Sequence, residues 1–120
     1  MPRVKRGVTT HRRHKKVLAL TRGQRATRHS LYRRAHEAMM KSLSYAYFHR
    51  RERKGDMRRL WISRINAASR TRGLSYGSFI DGLRKSGVEI NRKMLADMAV
   101  REPEAFAHLV TIAKAQVQGS

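Results

Sequence analysis

His11-Arg12-Arg13-His14-Lys15-Lys16 sets two imidazoles among four fixed cations in six consecutive residues. Two histidines three apart could offer nitrogens to a metal, but such a site needs three or four converging neutral or anionic donors. The neighbours here are Arg and Lys, whose charge opposes a divalent cation, and the first carboxylate after Met1 is Glu37. No metal site is therefore expected, and His11 and His14 read as polar or stacking contacts to a base or a phosphate. A run of this kind is seldom neutralised within its own chain, so its counter-charge belongs to another molecule.

Other catalytic chemistry has little material. There is no cysteine, which excludes thiolate metal sites, disulfides and a Cys nucleophile. Ser30, Ser63 and Ser75 lie in no nucleophile-elbow pattern, and eight carboxylates without suggestive pairing give general acid–base catalysis little to use. Gly73, Gly77 and Gly82 do not match a phosphate loop and fit helix boundaries and interiors instead. The sequence predicts no enzyme, no cofactor and no small-molecule substrate. Trp61 reads first as a core or junction residue, with stacking on a base as the alternative.

The charge is unevenly placed. The whole chain of 120 residues carries +20, from 28 Lys and Arg against 8 Asp and Glu. Residues 1–60 hold 19 of the cations and 3 of the carboxylates, leaving +16, while residues 61–120 hold 9 and 5, leaving +4. Arg outnumbers Lys 20 to 8. The planar guanidinium grips phosphate bidentately and stacks on bases, so the balance favours structured recognition over diffuse attraction. Each such contact also releases condensed counterion, which drives binding to nucleic acid. Membrane binding would need an amphipathic basic segment with large apolar residues on one face, and residues 1–30 lack one. The Arg-rich, acid-poor start has the composition of a transit peptide. Duplex DNA is the main competitor for the arm, although no helix-turn-helix pattern with a reading helix is evident. The expected partner is RNA.

These residues need elements to position them. Between Met1 and Ser30 the larger apolar residues are few (Val4, Val8, Val17, Leu18, Leu20), too few to offset the entropy of ordering the segment alone. Residues 1–30 are expected to be extended or loosely helical when free, and to fold on a partner. Residues 31–54 mix Leu31, Tyr32, Ala35, Ala38, Met39, Leu43, Tyr45, Tyr47 and Phe48 with basic residues, and Glu37 stands four before Lys41. Their apolar positions circle the helix instead of forming a stripe, which suits a helix running through charged surroundings. Gly55-Asp56 reads either as a helix stop and N-cap or as a tolerated glycine within one long helix. Further on, Trp61, Ile65 and Ala68 share a face before Gly73. Ser75 caps a helix with Tyr76, Phe79, Ile80 and Leu83 inward, ended by Gly87. Asn91 caps another with Met94, Leu95 and Met98 on one face, and Pro103 opens a last one carrying Phe106, Leu109, Val110, Ala113 and Val117. The predicted fold is all-α: a long, partly helical basic N-terminal arm over 1–59 and a small compact helical domain over 60–118. A core of that size is marginal alone, and a partner would stabilise it.

Several longer stretches carry a resemblance. RVKRGVT at Arg3–Thr9, RRHKKVL at Arg12–Leu18, LWISRINAASR at Leu60–Arg70, GLSYGSFIDGLRKSGVEINRKMLADMA at Gly73–Ala99 and EPEAFAHLV at Glu102–Val110 resemble the bacterial large-ribosomal-subunit protein 20 family. The likeness runs from Met1 to about Lys114, which argues against a cleaved transit peptide. It implies a structural component of the large ribosomal subunit that binds its ribosomal RNA directly and early in assembly. It also implies a bacterial cytoplasmic setting in the ribosome, neighbouring large-subunit proteins, no membrane and no homo-oligomer. In some bacteria such proteins repress translation of their own messenger as well.

The resemblance assigns RNA contact to Arg3, Lys5, Arg6, Arg12, Arg13, Lys15, Lys16 and Arg22 in the arm. It assigns the same role to Arg50, Arg51, Arg53, Arg58, Arg59 and Arg64 in a basic helical section, continued by Asn66 and Arg70, and to Arg92 and Lys93 in the domain. His11, His14, Arg25, Arg28, Arg33, Arg34 and Lys54 join the candidate set from the same basic stretches. Two departures stand out. After Gly23 the family has aromatic residues and another glycine where this chain has Gln24-Arg25-Ala26-Thr27, so stacking is absent there or passes to Arg25. Gly55 replaces a long polar or basic residue within a continuous helix, and continuity with a local bend is the favoured expectation.

Overall fold

The computed structural model describes residue 3 and residues 5–118. Val4, counted among the sparse apolar residues of the start, lies outside them. Five α-helices follow in order: α1 (Gly7–Leu20), α2 (Tyr32–Arg70), α3 (Tyr76–Lys85), α4 (Arg92–Arg101) and α5 (Pro103–Gln118), with a short 3-10 turn at Ala26–His29 before α2. No strand occurs among the described residues. The chain divides into two compact units, Met1–Arg51 and Glu52–Ser120.

In the first unit, α1 is a regular 14-residue helix, within the stretch expected to be extended or loosely helical when free and to fold on a partner. Four positions at helical spacing explain its packing: Thr10 and His14 are half-buried, and Val17 and Thr21 are buried. Ala35 of α2 is fully buried as well, and the His14 imidazole stacks on the Tyr32 ring with centroids 3.7 Å apart. Thr21 is polar, yet its hydroxyl lies 3.3 Å from the carbonyl oxygens of both Val17 and Leu18, so its burial leaves no donor unmatched. The turn that follows places Ala26 at φ +59°, in the left-handed region. It lies in the segment where the resembling family has a further glycine, and an alanine carries a steric penalty there.

Helix α2 runs unbroken through Gly55 for 39 residues, about 58 Å at 1.5 Å per residue. The glycine costs roughly 1 kcal/mol relative to Ala, too little to break a ladder that long. Every residue from 40 to 60 is exposed, whatever side of the helix it occupies.

The second unit holds a true core. Ile65, Phe79, Leu83, Leu95, Ala96, Phe106, Leu109, Val110 and Ala113 are buried together, with Trp61, Leu74, Tyr76, Ile80, Val88 and Met98 packed around them. The expected caps are in place. The Ser78 N–H donates to Ser75 Oγ (3.2 Å) and the Met94 N–H to Asn91 Oδ1 (2.9 Å). Gly73 and Gly87 take φ +82° and +74° and close α2 and α3 alike. The next residue's N–H reaches back five positions, Leu74 to the Ser69 carbonyl (3.0 Å) and Val88 to that of Leu83 (3.1 Å), and drops an apolar side chain onto the core. One helical face differs from expectation: Met94 is 55% exposed, and α4 packs through Leu95, Ala96, Met98 and Ala99.

Two polar links tie the helices of this unit. Arg92 Nε donates to the Tyr76 hydroxyl (2.8 Å), joining α4 to α3. Arg72, just past α2, donates through Nη1 to the Ala68 carbonyl and through Nη2 to the Pro103 carbonyl, each 3.0 Å away, joining the end of α2 to the start of α5.

Candidate nucleic-acid interface

The candidate residues sort by the faces their helices present. The inward row of α1 is Thr10, His14 and Val17, continued by Thr21 just past its end, while His11, Arg12, Arg13, Lys15 and Lys16 are all exposed. His14 is the exception within that run: it is half-buried, and one face of its ring lies against Tyr32. Arg3, Lys5 and Arg6 precede the helix and are exposed, as are Arg22, Arg25 and Arg28 in the turn that follows it. Arg33 and Arg34 open α2 and are exposed too, Arg34 meeting Glu37 at 3.4 Å.

Along α2 the exposed span carries Arg50, Arg51, Arg53, Lys54, Arg58 and Arg59, with Arg64 and Arg70 exposed beyond it and Asn66 half-buried. Arg59 meets Asp56 at 3.5 Å. Such solvent-facing pairs contribute little, so they leave the local field strongly positive. In the second unit Lys93 is exposed, while Arg92 is half-buried and held by Tyr76.

Aromatic residues that the sequence reading left out of the candidate set are threaded through the same span. Tyr45, Tyr47 and Phe48 are 47–55% exposed, beside equally exposed Met40 and Leu43. The rings pair with Arg, Lys and His side chains one helical turn away. The Arg51 guanidinium lies 3.8 Å from the Tyr47 centroid, Lys41 Nζ lies 4.8 Å from that of Tyr45, and the His49 ring is parallel to Tyr45 with centroids 5.5 Å apart. The signal was in the sequence, since these apolar positions form no stripe. The span thus sets exposed apolar surface beside strong positive charge.

Concave surface lies nearby. Lys54, Gly55, Arg58, Trp61, Asn91, Arg92 and Lys93 line one open hollow, and Trp61, Asn91 and Lys93 also line an adjacent one with Arg64, Asp97 and Arg101. Trp61 packs against the core, as the first of its two sequence-based readings expects, and is half-buried, so part of its ring remains at the surface. Among the described residues no three His, Asp or Glu side chains gather as metal ligands do. No helix among them is long and apolar enough to cross a membrane.

Comparison with known proteins gives the arrangement a family. Residues 3–109 match the family described as Ribosomal protein L20. The chain is 61% identical over 115 residues to a protein of Dehalococcoides mccartyi named large ribosomal subunit protein bL20, covering 96% of this chain and 97% of that one. It is 61% identical over 117 residues to the protein of the same name from Natranaerobius thermophilus, covering 98% of this chain and all of that one. The Thermomicrobium roseum protein, again of that name, is 59% identical over 114 residues, with 95% and 97% covered. With so close a likeness over nearly the whole length of each chain, this protein belongs to the ribosomal protein L20 family.

Proposed function

We propose that this chain is a structural constituent of the bacterial large ribosomal subunit that binds large-subunit ribosomal RNA directly, through its basic N-terminal arm (1–59) and its helical domain (60–118). The chain is not an enzyme; its family is one of ribosomal proteins. The observation that carries the reading is the middle of α2. Residues 40–60 are exposed on every side and combine Arg and Lys with Tyr, Phe, Leu and Met. RNA can cover such a helix all round, matching phosphate to guanidinium and base to ring, where one protein face would cover a single side. Early assembly of the subunit follows from the same surface, since an arm that joins RNA segments acts before those segments are buried. Neighbouring large-subunit proteins would meet what RNA leaves uncovered. Repression of its own messenger would use these contacts on a transcript folded like the ribosomal site.

The test is binding of the full chain to a large-subunit ribosomal RNA fragment and to duplex DNA of equal length across a salt series. Specific recognition predicts that RNA affinity persists at salt concentrations that abolish DNA binding. Parallel loss with equal slopes would reduce the chain to a general polyanion binder.

A further inference from the structure

We infer that the hollow between the middle of α2 and the start of α4 takes a single unstacked RNA nucleotide, its base against Trp61 and its phosphate among the surrounding cations. The inference rests on the RNA-binding reading above and assigns that surface a discrete subsite. The hollow holds about 590 Å³, within the range of roughly 300–1,000 Å³ typical of small-ligand sites. Lys54, Arg58, Arg92 and Lys93 line it, and no carboxylate does. An anion is therefore the occupant that its charge selects, and an aromatic wall beside cations is the pairing that holds an extruded base and its phosphate.

Two features show that the hollow is set up in advance. Arg92 commits its Nε–H to the Tyr76 hydroxyl at 2.8 Å, so the guanidinium is held in place with its terminal nitrogens left for a phosphate. Gly55 lies on the lining, and a β-carbon there would meet nothing within 4 Å. Glycine is the poorest helix former after proline, yet it occupies the interior of α2 on the wall of the hollow, beside the long side chains of Lys54, Arg58 and Trp61. The chain gives up helix propensity there and keeps the hollow open.

Trp61 is the only tryptophan of the chain, so its emission reports on this hollow directly. The full chain would be titrated with a large-subunit ribosomal RNA transcript at fixed salt, with total binding followed by filter retention. The expected result is quenching of Trp61 in step with retention, and shielding of the ring from acrylamide. Gly55→Leu adds a branched apolar side chain to the lining without changing charge and favours the helix. It should weaken binding about tenfold, flatten the salt slope by roughly 0.7–0.9 for the one phosphate no longer held, and abolish the quenching, while Gly55→Ala keeps it. RNA retained with Trp61 emission unmoved would overturn the subsite and leave the RNA-binding reading standing, as would a Gly55→Leu chain that binds and quenches like the parent. Equal quenching by poly-glutamate would also overturn it, by marking the hollow as a site for acidic polypeptide. No retention of RNA at all would sink the RNA-binding reading and this subsite together.

Discussion

Gly82 of α3 lies so close to Ala113 of α5 that a β-carbon on the glycine would stand 2.5 Å from the Ala113 carbonyl oxygen and 2.8 Å from its Cα. Both atoms belong to backbone, so no side chain can move aside, and the two helices can sit at this distance only with hydrogen at position 82. Gly82→Ala should therefore destabilise the second unit by about 1–3 kcal/mol, even though alanine favours a helix elsewhere. Thermal unfolding followed by circular dichroism measures it. An unchanged or raised midpoint would mean that α3 and α5 separate at little cost.

Arg72 carries a different kind of link. Its guanidinium bonds the carbonyls of Ala68 and Pro103 and lies 5.7 Å from the centroid of the Phe106 ring, bridging helices that are distant in sequence. Arg72→Ala should lower stability by roughly 1–2 kcal/mol, because it removes two charge-assisted bonds at a half-buried position. RNA affinity should change far less than stability, and denaturant unfolding beside a binding titration separates the two. A variant as stable as the parent but weak in binding would move Arg72 from scaffold to interface.

At Ala26 the backbone takes φ +59°, a conformation glycine adopts without steric cost. Ala26→Gly should stabilise the first unit by about 0.5–1 kcal/mol, the relief of strain exceeding the entropy that glycine loses on folding. Amide hydrogen exchange around the buried Val17, Thr21 and Ala35 is the suitable readout, with slower exchange expected. Faster exchange would show that the turn is not held in this conformation.

The basic span of α2 makes a prediction in salt dependence. Replacing Arg50, Arg53 and Arg58 together with Gln should lower RNA affinity. The plot of log affinity against log salt should flatten by roughly two units, at about 0.7–0.9 for each phosphate no longer neutralised. Stability should stay within about 0.5 kcal/mol of the parent, since all three are exposed. An unaltered slope would place the phosphate-binding cations elsewhere, on α1 above all.

Much of this architecture is legible in the sequence because its signals are local. Ser75 and Asn91 cap helices through their own side chains, Pro103 opens one, and Gly73 and Gly87 close two, each by a rule that needs only a few neighbouring residues. The charge of the first sixty residues and the scattered apolar positions of α2 likewise need no fold to be read, and they point to an anionic partner. Gly55 left two local readings open. The continuous helix wins because the backbone ladder on both sides outweighs one weak residue.

What the sequence by itself determined is the helical class, the caps and the strongly basic character, all properties of composition and short-range spacing. The inward faces of α3 and α5 were legible from helical spacing, but only the tertiary structure decided which side chains are covered in α1, at the start of α2 and on α4. Val17, Thr21 and Ala35 are buried and His14 stacks on Tyr32, while Met94, apolar and at a plausible core spacing, is left in solvent. Helical periodicity defines rows of residues, but which row is covered depends on the distant segment that docks there. The same holds for Gly82 against Ala113 and for Arg72 at the Pro103 carbonyl, which are pairings of residues 31 positions apart that no local rule encodes.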